Sequence, residues 1–103
     1  MPSTPVAGLT SSVTNAGESV AVSTGGEKGG FITNPSSAAD QGLAEAESLY
    51  VNPIGVATLE GNETTFEIPP GGTWQFIADQ STPTFVNAAS AGHKFSCVRI
   101  LEG

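Results

Sequence analysis

Along this chain apolar residues alternate with polar ones over short runs broken by glycine, proline and asparagine, a period of two that predicts β-strands. Ser19-Val20-Ala21-Val22-Ser23 is one such run, and Phe31-Ile32-Thr33 reopens the pattern after Thr24-Gly25-Gly26 and Gly29-Gly30. Together they predict a hairpin with a flexible tip at Glu27-Lys28. Leu49-Tyr50-Val51-Asn52 predicts a strand ended by Pro53 and Gly55, with Val56 to Leu59 starting the next. In Thr64-Thr65-Phe66-Glu67-Ile68 the alternation sets Thr64, Phe66 and Ile68 on one face and makes one side buried. Pro69-Pro70-Gly71-Gly72 is the strongest turn signal, because proline presets φ and glycine accepts positive φ, and Trp74-Gln75-Phe76-Ile77 is the predicted partner strand. Thr84 to Asn87 and Lys94 to Ile100 are two further strands around the small-residue loop Ala88 to Gly92. Only Ser36 to Glu47 tolerates a helix, of one or two turns, capped by Ser36 and interrupted by Gly42.

Short strands at turn-punctuated spacing predict an all-β fold: a compact β-sandwich or β-barrel-like domain over residues 19–103. Residues 1–18 are mostly Ser, Thr, Pro, Gly, Ala and Asn without a sustained period, and read as a flexible N-terminal arm outside the core. Its apolar residues Val6, Leu9 and Val13 are then candidate anchors on a partner. Tyr50-Val51-Asn52 and Phe85-Val86-Asn87 echo one another, each asparagine placed to end a strand by bonding nearby backbone.

Composition narrows the function. Charged residues are only 13% of 103, so Ser, Thr, Asn, Gln and Gly supply most of the solvated surface, one suited to close neighbours. Ten carboxylates against three basic residues give a net charge of -7, which argues against nucleic acid and anionic membranes as partners. A single cysteine, Cys97, makes no internal disulfide and fits folding in a reducing compartment. The first twenty residues carry neither a basic n-region nor an apolar h-region, and no run is long enough to span a membrane, so synthesis in a cytoplasm is expected.

Little chemistry is visible. His93 stands alone, with no Gly-x-Ser-x-Gly around any serine, and no catalytic residue is expected. One His and one Cys fall short of a transition-metal set, and Glu60, Asn62 and Glu63 lack the ligand ladder of a calcium loop, so neither metal nor cofactor is expected. Gly25 to Gly30 lacks the spacing of a phosphate loop. Trp74, Phe76 and His93 remain as candidate partner contacts, the tryptophan being a core or interface residue.

From Gly30 onward the phrases Gly-Phe-Ile-Thr-Asn-Pro, Leu-Tyr-Val-Asn-Pro, Glu-Ile-Pro-Pro-Gly-Gly-Thr-Trp and Phe-Val-Asn-Ala-Ala-Ser-Ala-Gly-His-Lys-Phe resemble small virion proteins of tailed bacteriophages. The class resembled is that of the decoration, or cement, proteins of the head. The resemblance implies a β-sandwich or β-tulip-like domain, a homotrimer at three-fold or quasi-three-fold positions, and the major capsid protein as partner. It also implies binding after shell expansion and resistance to internal DNA pressure on the capsid exterior. A fibre or tail accessory protein is the second expectation, with Trp74, Phe76 and the Ala88 to Gly92 loop meeting a host glycan or protein.

Overall fold

The computed structural model describes residues 3–60 and 63–102. Among them the chain forms ten strands and one single-turn helix: β1 (Ser3–Ala7), β2 (Ser12–Val13), β3 (Val20–Ala21), β4 (Gly29–Thr33), α1 (Ala38–Gln41), β5 (Leu49–Asn52), β6 (Phe66–Ile68), β7 (Thr73–Gln75), β8 (Phe85–Ala88), β9 (His93–Lys94) and β10 (Ser96–Glu102). One four-stranded antiparallel sheet has the order β1-β10-β4-β7, a second β3-β8-β5-β6, and β2 pairs with β9 alone. The all-β expectation holds.

A single apolar cluster draws Ile32, Phe76 and Cys97 from the side of the first sheet and Leu49, Val51, Ile68, Val86 and Ala88 from the second. Alternation explains the selection. Leu49 and Val51 point inward with their register partners Ala88 and Val86, while Tyr50 and Asn52 point outward with Asn87 and Phe85. Each fully buried branched side chain contributes about 1.5–3 kcal/mol of transfer free energy.

In the first sheet, register fixes what faces away from the core. Val98 lies between Ala7 and Phe31, and Phe31 opposite Gln75. A second row is Pro5, Ile100 and Gly29, and a third is Ser96, Thr33 and Thr73, the two threonine hydroxyls 3.0 Å apart. On the other face Gly30 has φ 132°, and a Cβ there would meet the Val98 carbonyl oxygen at 2.2 Å, so β10 crosses too closely for any side chain.

Several local expectations change. The arm is corrected first: β1 pairs along β10 from Ser3 opposite Glu102 to Ala7 opposite Val98, and Val13 is fully buried in the core. The bonds Gly8 N–H to Cys97 O and Leu9 N–H to Val22 O continue the attachment. Residues 1 and 2 of that arm lie outside the described residues. The hairpin across residues 19–33 is also corrected, since β3 and β4 lie in different sheets. At its tip Lys28 is exposed but Glu27 is buried, 3.1 Å from the Arg99 guanidinium.

Pro69 to Gly72 does form the predicted turn, with Gly72 N–H on Pro69 O and Gly71 at φ 84°, the positive φ required at its third position. It nonetheless sends β6 and β7 into different sheets rather than closing a hairpin. Asn34 decides this, its backbone carbonyl accepting from Gly71 N–H and its N–H donating to Gly72 O. Phe66 is half exposed, against its buried assignment. Residues 53–60 form a loop and not a strand, and Ser37 rather than Ser36 caps α1, its hydroxyl accepting from Asp40 N–H.

Candidate functional site

Both asparagines of the repeated tripeptide hold one loop against the outward side of the second sheet. The tripeptides pair with each other, Tyr50 opposite Asn87 and Asn52 opposite Phe85. Asn52 accepts from Ile54 N–H through Oδ1 and donates to Val56 O. Asn87 donates to Gly17 O and Ala57 O, and Ser19 Oγ accepts from Ala57 N–H. Gln80 and Thr82 each donate to Pro53 O from the other end of the loop. Satisfying buried backbone groups with fixed amides in this way is worth about 1 kcal/mol net per bond, and costs more when one partner is lost.

A groove of about 330 Å³ opens between this loop and the turn at Gly17, lined by Ser19, Val56, Leu59, Glu60 and Asn87. At its floor Thr58 Oγ1 is buried without a hydrogen-bond partner among the described residues. The loop holds Ile54 and Val56 in water, 58% and 63% exposed, although both are branched apolar side chains. Groove and lip form a surface that is apolar, fixed and open, fitted to another protein's side chains.

A second polar cluster lies inside the molecule. Asn34 Nδ2 donates to Glu47 O and Ile68 O at 2.9 and 3.0 Å, which fixes its amide orientation and leaves Oδ1 as an acceptor. Oδ1 accepts from Gln41 Nε2 and from His93 Nε2, so the proton of the neutral imidazole sits on Nε2. Gln41 also donates to Pro35 O and Glu47 O and accepts from Glu47 N–H. His93 Nδ1 and Glu47 Oε1 are buried without hydrogen-bond partners among the described residues. Burial pushes the His93 pKa below its ordinary 6.5, against the opposing pull of Glu47.

The other perturbed groups are structural. Burial pushes the Glu27 carboxyl up, but hydrogen bonds from Thr24 and the Arg99 guanidinium outweigh it and hold the pKa below 4.5. Burial pushes the Cys97 thiol up to about 11, with Arg99 opposing, so sulfur stays a packed thiol at neutral pH. Among the described residues no three His, Cys, Asp or Glu gather as a metal site, and no helix is long and apolar enough to cross a membrane. Asn62 lies outside the described residues.

The six residues singled out as partner contacts do not form one surface. Val13, Phe76 and His93 are buried and belong to the interior, which corrects their assignment. Trp74 is half buried against the core and meets Phe76 edge to face at 5.8 Å. Val6 is half buried opposite Arg99, and Leu9 is 51% exposed. Ile54 and Val56 were missed; the signal was two branched residues among Pro53 and Gly55, where a turn keeps them off the core. The chain matches no family model, no curated protein and no solved structure.

Proposed function

We propose that the chain is a structural protein of a tailed-bacteriophage particle, a decoration protein bound to the outside of the head through the major capsid protein. The supporting observation is the immobilised apolar lip. Ile54 and Val56 stand exposed on a loop tied down by Asn52, Asn87, Gln80 and Thr82. A loop held in its docking conformation loses little entropy on binding, so modest apolar burial is enough for retention. The sequence phrases that resemble the head-decoration class lie on the same scaffold, and the asparagines of the two Val-Asn steps pin this loop. Phe76 is buried and Trp74 is half buried against the core, which weighs against the tail-fibre alternative as far as those two side chains carry it.

Copy number tests the reading. Quantitative mass spectrometry of purified particles is expected to find hundreds of copies per head; absence overturns the proposal, and a handful per particle returns the tail. The double change Ile54→Asp and Val56→Asp is expected to abolish head attachment while shifting Tm by only a few degrees, since both side chains are exposed.

A further inference from the structure

We infer that the groove between Gly17 and the 53–60 loop receives the side chain of a lysine or arginine of the docking partner. The inference rests on the docking reading above and names the chemistry that the partner presents. The groove is chemically two-sided. Val56 and Leu59 line it with branched apolar groups, Glu60 lines it with a carboxylate, and Thr58 Oγ1 is buried beside them without a hydrogen-bond partner among the described residues. A long basic side chain matches both halves, because its aliphatic stem covers apolar surface while its charged head reaches a polar end. Size points the same way. About 330 Å³ is the lower end of small-molecule sites, so an open groove of this volume fits a side chain from a neighbouring chain. A single lining carboxylate falls short of the roughly six to eight oxygens that a bare calcium ion takes.

The surroundings carry one sign of charge. Glu18, exposed, lies between the lining residues Gly17 and Ser19. Glu67, also exposed, is opposite Tyr50, which in turn is opposite the lining residue Asn87. The three basic residues of the chain are elsewhere. Lys28 pairs with Asp79 at 2.6 Å, Arg99 pairs with Glu27 at 3.1 Å, and Lys94 lies beside Gly42 at the end of α1. The chain therefore supplies the groove with a carboxylate and no cation to meet it. At a net charge of -7 it repels an acidic partner surface and attracts a basic one at long range, and the groove turns that attraction into a contact. The Thr58 hydroxyl keeps lone pairs for an incoming N–H, and gaining such a bond relieves the cost of burying it unpaired.

Chemical-shift mapping of the chain with n-butylammonium, n-butylguanidinium and n-butanol, which share one stem, reads the groove directly. Both cations are expected to move the amides of Gly17, Ser19, Val56 to Glu60 and Asn87, and to bind at least about five-fold more tightly than the alcohol, the gain of a partly exposed ion pair. The tighter of the two cations names arginine or lysine. Added salt is expected to weaken the cations and not the alcohol. Glu60→Gln and Thr58→Val are each expected to bring the cations down toward the alcohol, and Glu45→Gln, at an exposed carboxylate outside the groove, to change nothing. On heads stripped of the chain, Glu60→Lys is expected to weaken attachment at least about ten-fold. Glu60 is exposed, so its variants are expected to fold as the parent does, and thermal melts check this. Cations that bind no better than n-butanol, or shifts scattered away from the groove, overturn the inference. So does Glu60→Lys that decorates heads normally while the Ile54→Asp and Val56→Asp pair does not, and in that case head attachment through the lip stands. Cations that seat in the groove of a chain absent from heads support the basic-side-chain site and overturn the head reading instead.

Discussion

At the scale of single residues, the most consequential side chains are polar and inside. Asn34, Gln41 and His93 are completely buried, and their bonds tie β4, α1, the approach to β5 and β9 into one knot. His93 makes that knot sensitive to acid. Its folded pKa is depressed below 6.5, so between the folded value and 6.5 the unfolded chain binds a proton that the native chain excludes. The stabilisation is complete above about 6.5 and declines as pH falls toward the folded pKa. Circular-dichroism melts at constant ionic strength are expected to show Tm falling on acidification through this window. His93→Gln is expected to start from a lower Tm and to lack that decline. A wild-type Tm unchanged down to pH about 5 contradicts an imidazole buried neutral. Glu27 has the carboxylate sign: its contribution is present above 4.5 and is lost as pH falls through its depressed folded pKa, so its decline comes at lower pH.

At the scale of elements, the N-terminal strand tells what local pattern reveals and what it conceals. Residues 3–13 have the composition of a tail, yet they add β1 along five positions of β10, bond Cys97, Val22 and Phe95, and bury Val13. Losing Val13 alone removes about 1.5–3 kcal/mol, and losing β1 exposes the β10 edge as well. Small domains hold roughly 5–15 kcal/mol in all. A variant beginning at Ser19 is therefore expected to melt more than about 10 °C lower or to be unfolded at 25 °C, and one beginning at Leu9 to fall between. Far-UV circular dichroism checks both, and an unchanged Tm would return these residues to the status of an arm. Strand positions such as Leu49 to Asn52 and the Pro69 to Gly72 turn were legible because their signals are local. Pairing was not: the same turn serves a hairpin or a corner, and the choice rests on Asn34, far away in sequence. The candidate site was half legible for the same reason. The two pinning asparagines are visible as strand-ending residues, while the exposure of Ile54 and Val56 depends on bonds from Gln80 and Thr82.

At the scale of the whole molecule, the pairing of β1 with β10 brings together the first and last described residues. Ser3 and Glu102 are register partners, so their Cα atoms stand within about 4.5–5.5 Å although nearly the entire chain separates them in sequence. Closing so long a loop is part of the entropy that folding must overcome, and the cost is paid again each time the protein refolds. Joining the ends covalently transfers that loss to the unfolded state while leaving the native sheet undisturbed. For a closed loop of about 100 residues the chain-entropy account gives about 4.7 kcal/mol, and strain in the joining segment lowers it. Head-to-tail cyclisation through a short Gly/Ser linker is therefore expected to stabilise the domain by about 2–4 kcal/mol, since Ser3 and Glu102 stand about one strand spacing apart. At about 4–8 °C per kcal/mol for a domain of this size, Tm is expected to rise by at least roughly 8 °C. The uncyclised chain carrying the same linker residues is the control, because it shares every native contact. A cyclic protein that melts no higher than that control places the two ends apart, and with them β1 away from β10.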